Sequence, residues 1–372
     1  MEKYRHTTSG VQDVVLALAA TVTFRRSEEI LRKMTAIELS HQSIHRLLSR
    51  AGDAFLEKRD KDNRWFQSTG ELPDSESRKV PRLLVEADGV MLPLQRAKAR
   101  KIEAKLGITY EGWDKVGKDR YRTINKTYYA DIAGSDTFWT GMTLKLHRKY
   151  DLASINDIIV GGDGGAWIKE GVDYFNGKFQ LCRYHLNREI RYKLGSDKET
   201  INSLHKSINN EGIDTIYSTL DGAISKAKED KAKEIKKLYF YIKANASGLR
   251  DYRHDIVDNR NLRRTGAIEG NIDKLIVRRM KNQGMSWTPK GIRRMLAVRL
   301  LWREDKLTNW LNIRNGIIEK HGITPKRINR VIDKTIKQNY SDWFNAELPA
   351  LHGPHCSRPW VKLLKSLTEV GI

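Results

Sequence analysis

Apolar positions near the amino terminus recur at helical spacing. Val14 and Leu18 lie four residues apart, and Ile44 and Leu48 repeat that interval after a basic turn. Ser40 is placed to cap the helix that carries the second pair. Two short helices, a tight turn and a basic outward face on the second helix resemble a helix-turn-helix, although an ordinary helical hairpin fits the pattern equally well.

Two predicted strands each lead to an aspartate. Alternation puts Glu86 and Asp88 on one face of a strand that begins at Arg82, and a β-branched run at 158–160 precedes Asp163. A carboxylate among apolar neighbours is costly unless it is paired or bound to a cation. Asp88 is therefore a candidate metal ligand, with Glu86 as the alternative on the same face. For Asp163, a plain Gly-Asp-Gly turn is the alternative to a metal ligand.

The remaining segments differ in polarity and period. Segment 57–80 is polar and is the clearest predicted linker, and 95–118 is predicted to be a basic connection containing glycine. One or two strands are predicted in 121–140, then a helix, and another strand in 177–185. Residues 186–247 are rich in Lys, Glu, Asn and Ser and are periodic at helical spacing, which predicts three or four helices.

Charge points to a polyanionic partner. The 372 residues include 68 Lys and Arg against 46 Asp and Glu, which gives a net charge of +22 and a pI near 9.8. Such a balance favours nucleic acid, because each Lys or Arg on a phosphate releases counterions, although structural RNA-binding proteins share it. The sequence has two cysteines, no signal peptide and no apolar run long enough to span a bilayer, so we expect a cytoplasmic protein without a membrane partner.

A third carboxylate stands inside the most basic part of the chain. Segment 263–303 holds eleven Lys and Arg but only two acids, Glu269 and Asp273. Glu269 is at a predicted helix start, and Asp273 lies four residues later on the same helix face. Two aspartates on neighbouring strands and one such glutamate can bridge two divalent ions, which is the arrangement used in phosphoryl transfer. Glu269 is favoured over Asp273 because glycines flank it.

Four motifs resemble the DDE transposases of bacterial insertion sequences. They are VEADGV, VGGDGGAWI, CRYH and TGAIEGNIDKLIVRRMKNQGMSW, and they are most similar to the Lre-type (ISLre) family, which is related to the Mutator-like group. The resemblance implies an RNase H-like core with Asp88, Asp163 and Glu269 as catalytic ligands of two Mg²⁺ or Mn²⁺ ions. It also implies that Cys182 and His185 form a signature pair near the active site. One departure is Gly89, where the family often has an acid.

The resemblance also implies a domain organisation. An α/β protein is expected, with an RNase H-like catalytic core, an all-helical insertion and a helix-turn-helix-like segment. The expected parts are an amino-terminal helical, candidate DNA-binding segment (1–56), a linker (57–80), the first core part (81–185), the helical insertion (186–247), the second core part with the glutamate helix (248–304) and a helical tail (305–372). Family members tend to be longer at the amino terminus, and whether a leading segment is missing from this chain stays open.

The expected partner is double-stranded DNA, both element ends and target, bound by a homo-oligomer in the bacterial nucleoid. The candidate DNA-contacting residues are Arg46, Arg50, Arg278, Arg279, Lys281, Arg293 and Arg294. Two alternative functions remain open: a basic DNA-binding protein without catalysis, and a nuclease of similar fold without strand transfer. A further alternative makes Cys182 and His185 half of a zinc site, completed by His352, His355 and Cys356.

Overall fold

The computed structural model describes residues 8–210, 212–257, 262–282 and 284–314. The described residues up to Leu311 belong to one compact unit. The helices are α1 (Ser9–Thr21), α2 (Phe24–Met34), α3 (His41–Thr69), α4 (Ser135–His147), α5 (Ala166–Lys169), α6 (Gly171–Phe175), α7 (Arg183–Leu194), α8 (Lys198–Asn210), α9 (Ile213–Lys226), α10 (Glu229–Ala244), α11 (Ala267–Ile272), α12 (Pro289–Arg303) and α13 (Leu307–Arg314). A π-helical segment, Asp273–Lys281, continues α11 directly.

In the described residues, seven strands form two sheets. They are β1 (Arg82–Pro93), β2 (Lys101–Tyr110), β3 (Trp113–Lys115), β4 (Tyr121–Thr123), β5 (Thr127–Asp131), β6 (Asp157–Gly162) and β7 (Lys178–Leu181). The main sheet has the order β5-β2-β1-β6-β7, and β3 pairs with β4 in a small ribbon. In the main sheet β1–β2 and β2–β5 are antiparallel, whereas β1–β6 and β6–β7 are parallel. The protein is therefore a mixed α/β protein with a five-stranded mixed sheet.

Each face of the main sheet packs against a separate helical layer. Leu84 and Leu92 of β1 belong to the core shared with α1, α3, α11 and α12. Leu83, Val85 and Ala87 alternate with them and belong to the core shared with α4, α5 and α6. This period of two follows from the strand pleat, and it puts Glu86 and Asp88 on the first face. A third core joins the four helices α7–α10.

The structure agrees with the predicted amino-terminal helices and changes two segment boundaries. Ser40 accepts a hydrogen bond from the backbone N–H of Ser43 and caps α3, as predicted. However, α3 continues to Thr69 and so occupies most of the predicted linker, because its inner face packs against α12. Segment 95–118 is not a plain connection, since β2 occupies its middle and lies beside β1 inside the sheet.

The remaining segments contain strands, helices and residues that are not described. Segment 121–140 holds β4 and β5, but α4 already begins at Ser135. Residues 186–247 are helical, in α7–α10 and one short 3₁₀ turn, apart from position 211, which is not described. Of the predicted helical tail, only α13 is described. In the described part of the chain, no helix is both long and apolar enough to cross a membrane.

Candidate active site

The pairing of β1 with β6 brings two of the predicted carboxylates to neighbouring positions. The parallel register pairs Glu86 with Gly161. Two residues further along each strand, the chain reaches Asp88 and Asp163. Both aspartates are half-buried. The strands therefore place the two acids side by side, where both can act on one ligand.

The turn that carries Asp163 depends on glycine at two positions. A Cβ on Gly162 would lie 2.6 Å from the Ile168 side chain, so no larger residue fits there without a shift. Gly164 has a φ of +93°, a conformation that glycine adopts readily. The Tyr241 hydroxyl of α10 donates to the backbone oxygen of Asp163 at 2.8 Å and fastens the turn to the helical layer α7–α10.

Asp163 also has the features of the plain turn that the sequence left open. Its Oδ1 accepts a hydrogen bond from the N–H of Gly165 at 2.8 Å, as in an Asx turn. The turn and the metal-ligand interpretations are compatible, because a carboxylate has two oxygens and about four acceptor positions.

Glu86 holds the start of the helix that carries Glu269. The backbone N–H groups of Gly266 and Ile268 donate to Glu86 Oε2 at 2.9 and 3.0 Å, and the Tyr110 hydroxyl donates to Oε1. Burial raises the pKa of Glu86, while these hydrogen bonds act in the opposite direction. Glu86 is thus a side-chain cap for α11, which resolves its competition with Asp88. No pattern in the sequence indicated Tyr110 or this role.

Cys182 and His185 both face the Glu269 carboxylate. The Cys182 thiol donates to Glu269 Oε1 at 3.2 Å, and His185 Nδ1 lies 3.3 Å from the same oxygen without hydrogen-bond geometry. Burial, and then the charge of Glu269, raises the pKa of the Cys182 thiol to about 12. At neutral pH the thiol is therefore protonated and acts as a donor to Glu269.

The charges of two other acids, Glu269 and Asp163, act on Asp88. Burial first, and then the charges of Glu269 and Asp163, raise the pKa of Asp88 to about 7, whereas the backbone N–H of Gly89 and the charge of Arg188 lower it. A buried carboxylate beside two others favours its neutral form unless a cation joins the site. This charge imbalance is what a divalent cation would correct.

Two sets of possible metal ligands share Glu269. One consists of Asp88, Asp163 and Glu269, whose hard oxygen atoms suit Mg²⁺. In the other, ligand atoms of Cys182, His185 and Glu269 all lie within 4.8 Å of one another, and this is the group of that kind found among the described residues. That set would suit zinc, which would take the place of the thiol proton on binding. The further zinc ligands predicted near the carboxyl terminus lie outside the described residues.

Four of the seven predicted DNA-contacting residues are exposed. They are Arg46 and Arg50 on α3 and Arg278 and Lys281 in the π-helical segment. Asp273, the alternative third ligand, binds Arg278 at 2.7 Å on the surface. This ion pair occupies Asp273 and leaves Glu269 as the acid that faces the site.

The other three predicted DNA contacts point into the protein. Arg279 is only 2% exposed. Arg293 binds Asp131 at 3.1 Å, and Arg294 binds Asp53 at 2.5 Å. In the described structure these three arginines are therefore engaged inside the protein, Arg279 by burial and Arg293 and Arg294 by ion pairs.

The fold and the site define a mixed α/β protein with a carboxylate cluster at adjacent strand positions, supported by a cysteine and a histidine. A family model described as "Uncharacterised protein family (UPF0236)" matches residues 1–312, and the chain belongs to that family. Three relatives carry the same family name. The "UPF0236 protein in vanSb 3'region" of Streptococcus gallolyticus is 28% identical over 309 residues, which are 80% of this chain and 63% of the relative.

The other two relatives are from Caldanaerobacter subterraneus subsp. tengcongensis. UPF0236 protein TTE2489 is 23% identical over 345 residues, which are 90% of this chain and 68% of the relative. A second protein, whose printed name joins eleven locus names from TTE0033 to TTE2212, is 25% identical over 282 residues, 73% of this chain and 57% of the relative. The chain thus spans about three fifths of the length of the first relative.

Proposed function

We propose that this chain is a DDE-type DNA transposase, which cleaves DNA at insertion-sequence ends and joins the freed 3′-hydroxyl to target DNA. The observation that carries the proposal is the grouping of Asp88, Asp163 and Glu269, from two parallel strands and one helix, with too little positive charge to offset them. Three acids left in this state favour a divalent cation as their partner.

Asp88, Asp163 and Glu269 would hold two Mg²⁺ or Mn²⁺ ions. Such ions, when bound, activate the attacking oxygen and stabilise the leaving oxygen of phosphoryl transfer. The protein's own groups prepare the ligands. Glu86 fixes the start of α11, and the Cys182 thiol keeps one oxygen of Glu269 in a set orientation through its hydrogen bond.

The sheet supports an RNase H-like core. Such a core has three antiparallel strands followed by two strands parallel to the first, and β5-β2-β1-β6-β7 has this order and these directions. In this interpretation α7–α10 are the helical insertion, because they lie between β7 and α11. The four-helix core of that segment is separate from the two cores that cover the sheet.

The relatives add support from their occurrence. One relative has a printed name that joins eleven locus names of a single strain. One protein name shared by many loci of a strain is what a mobile element produces when it copies itself. Membership of the ISLre transposases, in the Mutator-like group, is therefore part of the proposal for this chain, as is a homo-oligomer acting on paired ends.

The test is cleavage and joining of DNA that carries the genomic segments flanking this coding sequence. We expect Mg²⁺-dependent nicks at the element ends, followed by covalent joining of labelled end DNA to a target plasmid. Asp163→Asn and Glu269→Gln should each reduce both products by roughly a thousandfold or more, because each removes a metal ligand. DNA binding in EDTA should stay near that of the wild type.

Asp273→Asn is the matched control, since it removes an acid four residues from Glu269 that pairs with Arg278 at the surface. It should cleave nearly as well as the wild type. If Asp273→Asn is inactive while Glu269→Gln is normal, the third ligand is misassigned. Cleavage without joining would favour the nuclease alternative, and binding without cleavage in any divalent ion would leave the non-catalytic DNA-binding protein.

A further inference from the structure

A cavity of about 440 Å³ lies where the amino-terminal ends of three helices meet. Thr23 caps α2, Thr288 caps α12, and His41 is the first residue of α3, and all three line the cavity. Aligned peptide dipoles give the amino-terminal end of each helix a partial positive charge. Their convergence creates an environment that favours an anion.

The charged side chains that line the cavity have the same sign, and Glu28, which binds His41 at 2.8 Å, lies outside the lining. Arg25, Arg279 and Arg294 line it together with His45, and the described lining residues include no Asp or Glu. Arg294 is neutralised from outside by Asp53, at 2.5 Å. Burial, and then the charge of Arg294, lowers the pKa of His45, which is the response of an imidazole to a cationic setting.

Two polar groups of the wall are buried without partners. Arg279 is 2% exposed; its Nε donates to the backbone oxygen of Ala19 at 3.0 Å, but its Nη2 has no hydrogen-bond partner among the described residues. The hydroxyl of Ser49 is likewise buried and unpartnered there. A buried charged donor left unsatisfied is costly. An anion in the cavity would satisfy it.

The rest of the wall suits a flat apolar group. Phe24 and Trp287 line the cavity, with ring centroids 5.2 and 5.5 Å from the Arg279 guanidinium carbon. The volume lies within the ~300–1,000 Å³ typical of small-ligand sites and exceeds what a lone phosphate needs. A nucleotide, whose sugar joins a phosphate to a base, matches both the charge and the aromatic part of this wall.

The cavity lies beside surfaces that the proposed function assigns to DNA. His45 and Ser49 alternate along α3 with the exposed Arg46 and Arg50. Trp287 donates its backbone N–H to the oxygen of Pro93, five residues beyond Asp88 on β1. At about 3.3 Å per strand residue this separation is roughly 17 Å, which equals about five base-pair steps of duplex.

We propose that this cavity binds one phosphate-bearing nucleotide of a DNA strand that runs from α3 towards the carboxylate cluster. The inference rests on the proposed function for its ligand's source, and a free nucleotide is the alternative source of the same chemistry. It assigns Arg25 and Arg279 to the phosphate and the rings of Phe24 and Trp287 to the base.

The test uses Arg25→Ala, with Arg26→Ala as the matched control. Both arginines are exposed in the first turn of α2, but only Arg25 lines the cavity. Affinity for a fluorescein-labelled 20-nucleotide single strand would be measured by anisotropy in EDTA. Arg25→Ala should weaken binding roughly tenfold, about the loss of one charge-assisted phosphate contact. Arg26→Ala should change it less than about twofold.

Equal losses in the two variants would overturn the proposal, because the contribution of Arg25 would then be general charge attraction. Deoxyadenosine monophosphate, titrated as a competitor, separates the two sources. Competition that is lost in Arg25→Ala, together with weakened strand binding, supports the DNA source. Nucleotide binding that needs Arg25 while strand affinity is unchanged overturns it in favour of a free nucleotide.

Arg279→Gln provides a second measurement, with thermal unfolding used to verify that the variant folds. A folded Arg279→Gln should lose nucleotide competition, and undiminished competition would contradict the assigned phosphate contact. Because all binding is measured without divalent ions, these results are independent of cleavage. If the wild type never cleaves DNA but binding depends on Arg25 as expected, the proposed function fails while the site stands.

Discussion

Two acidic groups at the main sheet differ in their surroundings: the first is Asp131, and the second is the cluster of Asp88, Asp163 and Glu269. Asp131 ends β5 and is 1% exposed, and both Arg59 and Arg293 bind its carboxylate. Asp88 and Asp163 lie on and just after the neighbouring strands β1 and β6, where the third member of the group is another acid. The first group is complete within the protein, and the second is not.

The charge balance explains the difference. Two guanidinium groups offset the burial of Asp131, and this pairing makes an interior carboxylate tolerable. Around Asp88, the nearest charges are those of acids, and burial followed by the charge of Glu269 raises its pKa to about 7. An acid that is paired with arginines of the protein stabilises the fold, whereas an acid without such partners needs a bound cation. Burial alone therefore does not identify a functional acid.

The sharpest test of this contrast is the effect of removing one charge from each group. Asp131→Asn should destabilise the protein by about 3 kcal/mol, because it leaves Arg59 and Arg293 buried with too little negative charge. Asp163→Asn, measured in EDTA, should change the free energy of unfolding by less than about 0.5 kcal/mol, because it relieves repulsion instead. Urea denaturation of both variants decides the matter. Equal destabilisation would erase the distinction between the groups.

A second test concerns the support of the uncompensated group. Glu86→Gln keeps the shape of the side chain but turns an amide towards the backbone donors of α11, so Glu269 should be held less firmly. We expect the Mg²⁺ concentration for half-maximal cleavage to rise roughly tenfold, equivalent to about 1.4 kcal/mol. Tyr110→Phe, which removes only the hydroxyl donor to Glu86, should have a smaller effect in the same direction. An unchanged Mg²⁺ requirement in Glu86→Gln would show that α11 needs no such cap.

A third test concerns the pH dependence of stability without metal. Folding raises the pKa of Asp88 from an ordinary 3.8 to about 7, so between these values the folded state keeps a proton that the unfolded state has released. Stability attributable to Asp88 should therefore fall as pH rises through this window and level off above it, by on the order of 1–2 kcal/mol after solvent screening. The measurement is the difference between the wild type and Asp88→Asn from pH 4 to 8.

Added Mg²⁺ should flatten this difference, because a bound cation favours the ionised carboxylate. The Asp131→Asn variant is the control, and it should keep the Asp88 dependence. Parallel stability curves for the wild type and Asp88→Asn would contradict the assigned interaction between Asp88 and its acidic neighbours.

The sequence predicted the local backbone around Asp88 and Asp163 well, because it depends on local patterns. The alternation that puts Glu86 and Asp88 on one face, and the glycines around Asp163, are both realised in β1 and the turn after β6. The sequence could not distinguish Asp88 from Asp131, since both follow an alanine on a strand. The deciding partner, Arg59, is 72 residues from Asp131 and shows no pattern in the sequence.

The errors in the fold have the same origin. Strand β2 was hidden because charged residues interrupt its apolar positions, and its burial arises from its place between β1 and β5. The last third of α3 is polar apart from Trp65 and Phe66, and α3 packs against α12 and α4, which come from distant parts of the chain. The inward arginines Arg279, Arg293 and Arg294 were likewise indistinguishable from surface ones, because net charge does not report where a side chain points.

The cap of α11 by Glu86 has a consequence for the timing of assembly. The two backbone donors follow Glu86 by 180 and 182 residues, so the contact closes more than half of the described chain into a loop. A chain emerging from the ribosome completes α3, with Arg46 and Arg50 exposed, long before Glu269 is made. An unfinished or prematurely terminated product can therefore carry a basic surface but never a full set of carboxylates. Under the proposed function, this protein can therefore cleave host DNA only after the ribosome has completed α11.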